Sequence, residues 1–137
     1  MRKKQILGVL KAVTGLLTPN EESAEAFISL GLERLDVDWF KKAIPEWKKR
    51  DNGGDPKLYD PVPYLKNFFD YNKALAKGYL SSWWPYIEDI ITDPMKLMLI
   101  LERKPETIQY LNTEDGREYI KWVAQKVYDF LYDYTFE

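Results

Sequence analysis

The chain contains no histidine and no cysteine. Losing imidazole removes the commonest general base and every catalytic triad built on it. Losing thiols removes any disulfide framework, and with both absent the usual zinc and iron ligand sets cannot be assembled. No glycine-rich phosphate loop occurs, so neither common phosphate-cradling motif is present. No apolar run approaches the roughly 18 residues of a membrane-spanning helix. No internal repeat and no low-complexity tract is visible. The net charge of −2 excludes coating of nucleic acid by bulk attraction.

Two acidic groups invite a metal reading and then lose it. Asp36-Val37-Asp38 fits helix capping, and Asp51-Asn52-Gly53-Gly54-Asp55 fits a turn. The second lacks the regular oxygen spacing and closing glutamate of a calcium loop. No metal and no cofactor is expected, and the protein reads as a non-enzyme.

What is present is 45% hydrophobic and 31% charged, an ordinary globular balance, with an aromatic content of 15% that is high. At 137 residues the chain suits one helical domain over 1–137 with a sizeable core. Its charge is divided: residues 1–58 carry 11 basic and 9 acidic side chains, residues 59–137 carry 9 and 13. All ten tyrosines lie at Tyr59 or later. The spacing therefore suggests a basic half and an acidic, tyrosine-rich half joined by the loop 50–62. Plentiful lysine and glutamate with scarce glutamine lean towards a thermophile. A plasmid or viral origin would suit the composition equally.

The strongest pattern runs from 113 to 134. Tyr119, Ile120, Val123, Val127, Phe130, Leu131 and Tyr134 fall on one helical face. Thr113 is the expected N-cap, with Glu114, Asp115 and Glu118 in or beside the first turn. Earlier segments read as shorter helices: 2–17, 19–30 with Thr18 as cap, 37–43 with Asp36 or Asp38 as cap, 63–79, 83–91, 94–103 and 105–111. Pro45 is expected to kink the third or open a separate turn, and Ser81 or Ser82 to cap a helix starting at Trp83. No sustained apolar–polar alternation points to a strand. The expected fold is all-α, a compact bundle of six to eight helices whose longest regular packing element is the C-terminal helix, about 113–134.

The N-terminal stretch, Arg2-Lys3-Lys4 followed by an apolar run, superficially resembles a secretory leader. Lys11 interrupts the run and Glu21, Glu22 and Glu25 crowd the cleavage region, so the segment is expected to stay attached. Its stripe of Ile6, Val9, Leu10, Val13, Leu16 and Leu17 reads as core packing rather than as a helix lying on anionic lipid. Cytoplasmic location is the expectation.

Two surfaces carry functional interest. On the final helix Trp122 and Tyr132 lie off the apolar stripe, with Tyr128 at its margin; Trp84 is set against Trp83 so that one ring is expected at the periphery. Trp and Tyr anchor protein interfaces. The expected function is accordingly a non-catalytic helical interaction protein, an accessory or self-assembling structural subunit, with a protein partner or self-association through Trp122, Tyr128, Tyr132 and Trp84. The alternative is a nucleic-acid-binding accessory protein using Trp39, Lys41, Lys42, Trp47, Lys48, Lys49 and Arg50, where basic groups interleave with rings. The preceding Ile28-Ser29-Leu30-Gly31-Leu32 approximates helix-turn-helix spacing. Phe27 opposes it by filling the slot where a small residue lets such helices cross, and Asp36 and Asp38 would face phosphate.

Overall fold

The computed structural model describes residues 20–71 and 73–136, with residues 73–79 in backbone only. Seven α-helices are found among the described residues, and no strand: α1 Glu21–Gly31, α2 Val37–Lys48, α3 Val62–Tyr71, α4 Lys73–Ile91, α5 Pro94–Leu101, α6 Ile108–Leu111 and α7 Glu114–Phe136. The all-α fold and the C-terminal helix as its longest element are as the periodicity predicts. The expected helix over 2–17 lies outside the described residues.

Local chemistry sets most of the boundaries. Thr113 Oγ1 accepts from the Gly116 N–H at 2.9 Å and starts α7. Asp36 accepts from the Trp39 N–H at 3.0 Å and starts α2, and Asp93 accepts from Met95 N–H at 3.0 Å ahead of Pro94. The first described cap differs from expectation. Asn20, not Thr18, is the N-cap of α1: its backbone is extended and its side chain accepts from the Ser23 N–H at 2.8 Å.

Pro45, expected to kink its helix or open a separate turn, does not end it, and the helix expected to start at Trp83 starts earlier. Pro45 lies inside α2 and Pro85 inside α4, and α4 also runs straight through Ser81-Ser82. Both prolines and both serines are exposed. The hydrogen bond a proline forfeits therefore lies on the wet side, where water satisfies the freed carbonyl. Buried side chains on the opposite faces hold each helix in one piece.

The core gathers residues from both halves of the sequence into one cluster. α4 is its middle plank, packed against α1 on one side and α7 on the other. This arrangement buries Trp83 and Trp84 together, at 3% and 9% exposure, where one of the two was expected at the periphery. Adjacent rings point to different flanks of a helix, and here both flanks are covered.

The loop after α2 is tied down. Gly54 N–H bonds to the Lys49 carbonyl at 2.8 Å, and Asp55 N–H to the Glu46 carboxylate at 3.0 Å. That backbone donor, with Lys49 behind it, holds the Glu46 carboxyl below its usual range. Asp55 then caps a single 3-10 turn, Pro56–Leu58. Asp36 and Asp55 thus serve as caps. Among the described residues no group of three or more acidic side chains is placed to hold a metal ion, and no helix is long and apolar enough to cross a membrane.

One polar link crosses the core. The fully buried Tyr119 donates its hydroxyl to the Tyr59 carbonyl at 2.6 Å and accepts the indole N–H of Trp39 at 3.0 Å. Burial pushes the Tyr119 hydroxyl well above the ordinary tyrosine range, with Asp60 adding to the rise and the Trp39 bond opposing it. The folded state therefore holds this proton more tightly than the unfolded chain does. The resulting stability is present in full below about pH 10, the unfolded tyrosine value, and drains away as pH rises beyond it. Urea midpoints should fall more steeply between pH 8 and 11 in the parent protein than in Tyr119→Phe. At pH 8 that variant should already be about 1–3 kcal/mol less stable, because it leaves the buried Tyr59 carbonyl and the half-buried Trp39 indole N–H without their partner.

Candidate interaction surface

Helical periodicity separates the rings of segment 39–50 from its charges. Phe40, Ala43, Ile44 and Trp47 turn inward, while Lys41, Lys42, Lys48, Lys49 and Arg50 remain exposed. Trp47 is 7% exposed and the Arg50 guanidinium lies 4.1 Å over its ring, so it offers no free face for a base. Trp39 is half-buried, bonded to Tyr119 and set edge-on to Tyr64 at 5.2 Å. Lys48 pairs with Asp115 at 3.0 Å and Lys49 with Glu46 at 3.2 Å. Lys41 and Lys42 are left without an ion pair among the described residues. Lys42 joins Trp39, Tyr64, Arg34 and Lys57, with Asp36 and Asp38, around an open groove. Arg34, Lys57 and Tyr64 could not be placed there from sequence spacing, since they come from a turn, a 3-10 turn and α3.

The C-terminal aromatics sort differently. Trp122 is half-buried and enclosed by its own chain. Tyr59 meets it edge-on at 5.4 Å, Tyr119 stacks on it at 6.1 Å, and the Lys126 ammonium sits 5.3 Å over its ring. The turn following the 3-10 helix supplies this cover, which the helical wheel of α7 cannot show. Trp122 is therefore part of the body rather than a projecting anchor.

The exposed rings lie further along α7. Tyr128, Tyr132 and Phe136 follow at successive turns on one side of the helix. Trp84 of α4 forms their floor, with ring centroids 5.6, 5.7 and 5.3 Å from Tyr128, Tyr132 and Phe136. Tyr128 stacks on Tyr132 at 6.1 Å and Tyr132 meets Phe136 at 5.0 Å. Tyr132 is 47% exposed and Phe136 52% exposed, whereas Trp84 is buried beneath them. Phe136 was missing from the sequence reading, although its place four residues after Tyr132 was the available signal.

Polar groups frame the rings. The Tyr128 hydroxyl donates to the Glu88 carboxylate at 3.0 Å, which raises the tyrosine's pKa because the bond and the nearby negative charge both favour its neutral form. Asp129 and Asp133 line the same shallow depression as Tyr128 and Tyr132. Beyond Tyr128 the surface continues into a groove between α7 and the α4–α5 turn, walled by Ile91, Pro94 and Ala124. This is a shallow apolar face with a charged rim. Its chemistry suits contact with another surface. Comparison with models of protein families, with curated proteins and with solved structures gives no significant match.

Proposed function

We propose that this protein is a non-catalytic helical subunit that associates through the aromatic face of α7, with a second copy of itself as the simplest partner. The observation supporting the reading is the group Tyr128, Tyr132 and Phe136 over Trp84, two of whose rings are about half exposed. Rings at successive turns of one helix form a stripe that can meet its own copy across a two-fold axis. Preformed ring packing lowers the entropy lost on contact. Burying the open parts of Tyr132 and Phe136 supplies roughly 2–3 kcal/mol. The double variant Tyr132→Ser/Phe136→Ser should therefore weaken association some 30- to 100-fold in sedimentation velocity, with helix content unchanged. Retained association in that variant would remove the proposal.

A second reading, contact with single-stranded nucleic acid, draws on Lys42, which lines the Trp39 groove, and on its exposed neighbour Lys41. A labelled oligonucleotide added at low salt in the same runs separates the two. Co-sedimentation lost in Lys41→Glu/Lys42→Glu and weakened by salt would favour it.

A further inference from the structure

The groove beside Trp39 gathers charges that do not close on one another. Arg34, Lys42 and Lys57 line it, all three are exposed, and none forms an ion pair among the described residues. Asp36 and Asp38 line it too. Asp36 is committed to the Trp39 N–H as the cap of α2. Asp38 stands one turn before Lys42 on the same helix without pairing with it.

Two rings complete the groove, and both are held in place by their own chain. Trp39 and Tyr64 meet edge-on, with centroids 5.2 Å apart and planes at 88°. The indole N–H is tied to the buried Tyr119 hydroxyl, and the Arg34 guanidinium lies 5.1 Å over the Tyr64 ring. A ligand meeting these rings therefore finds them already oriented. Four segments supply the lining: the turn after α1, the first turns of α2 and α3, and the 3-10 turn that carries Lys57 and the 39% exposed Leu58. The groove encloses about 340 Å³, at the small end of ligand sites.

We propose that this groove binds one nucleotide unit, its base against Trp39 and Tyr64 and its phosphate on Lys42, Lys57 and Arg34. The proposal shares its surface with the second reading above and rests on it, but the groove has room for a single nucleotide, free or at one position of a strand. Each feature meets one part of such a ligand. The rings take a base of any sequence, because every base has a π-face. Three cations against two carboxylates leave one positive charge in excess, which suits a single phosphate group. The carboxylates decide the class. They accept from the exocyclic amine of a base and from ribose hydroxyls, donors that neither inorganic phosphate nor an acidic side chain offers.

Proton–nitrogen NMR spectra of the full chain at low salt provide the test. Adenosine 5′-monophosphate at millimolar concentration should shift the Trp39 indole N–H and the backbone amides of Arg34, Lys42, Lys57 and Tyr64. It should bind about tenfold more tightly than inorganic phosphate, adenosine or tetraglutamate. Arg34→Glu/Lys57→Glu changes two exposed side chains and should weaken binding about tenfold, while Lys121→Glu on α7 leaves it unchanged. A short oligoadenylate titrated alongside separates this proposal from the second reading. If the mononucleotide causes no shift in the groove, the proposal fails whatever the strand does. Strand binding that survives Arg34→Glu/Lys57→Glu but is lost in Lys41→Glu/Lys42→Glu keeps the second reading alone, and binding of neither probe removes both. Inorganic phosphate binding as tightly as the mononucleotide would also overturn the proposal, leaving an anion site only. Equal binding of tetraglutamate would overturn it by assigning the groove to acidic peptides.

Discussion

Phe27→Ala should cost about 3–5 kcal/mol of folding stability, seen as a large drop in the urea midpoint without a change of slope. The side chain is completely buried, and its ring lies 5.3–5.9 Å from those of Trp83, Phe69 and Phe68. It therefore joins α1 to α3 and α4 at one point. Removing it loses the transfer energy of the ring and leaves a cavity walled by other rings. Those walls belong to two separate helices, α3 and α4, and cannot all collapse inward together. The aromatic pairings add their own loss beyond buried area. Phe27→Leu fills more of the space and should cost markedly less. The same observation explains why Phe27 fails as a helix-turn-helix residue: the site is a bulky keystone where that motif requires a close crossing.

Gly116→Ala should also be severely destabilising, by about 3 kcal/mol, although intrinsic helix propensity argues the other way. Propensity alone would favour alanine inside α7 by roughly 1 kcal/mol. An added Cβ, however, would lie 2.2 Å from the Tyr110 carbonyl oxygen and 2.9 Å from Leu111 Cα. Both obstacles are backbone, so no side chain can swing aside, and α6 would have to shift against the start of α7. Overpacking of this kind outweighs the propensity gain. Gly53→Ala is the informative control. Gly53 has φ +92° with open space around it, so only the backbone preference is lost and the cost should stay near 1 kcal/mol. Thermal unfolding of the two variants side by side would show the larger drop at Gly116.

The contrast between these glycines marks what can be read from a sequence. Thr113, Asp36 and Asp93 announce their caps because a cap is a contact three residues long. The stripe on α7 is legible for the same reason, since helical periodicity is local. Its members Tyr119, Ile120, Val123, Val127 and Leu131 are all buried. Gly116 gives no such signal, because the carbonyl it must avoid belongs to the preceding helix. Pro45 misleads for a related reason. The hydrogen bond a proline forfeits costs least where solvent can replace it, and which side faces solvent is decided by distant segments.

The candidate surface was half legible. Tyr132 and Tyr128 were placed by their angle on α7. Trp122 had the same kind of angle but is enclosed by Tyr59, sixty-three positions earlier in the chain. Trp84 was expected near a surface and lies just under one, supporting the exposed rings rather than projecting itself. In segment 39–50 the basic and aromatic residues are interleaved in sequence, yet a period of 3.6 turns Phe40 and Trp47 inward and leaves Trp39 alone beside a lysine, Lys42, at an open groove. Interleaving in sequence is therefore weak evidence of a shared surface unless the helical phase is included.

Hydroxyl-radical footprinting across a wide range of protein concentration tests the association surface most directly. Tyr132 and Phe136 should be oxidised readily when the protein is dilute and become protected as it is concentrated, while labelling of Trp122 stays constant. Equal labelling of Tyr132 and Phe136 at every concentration, or protection at Trp122 instead, would contradict the assignment of recognition to the far end of α7.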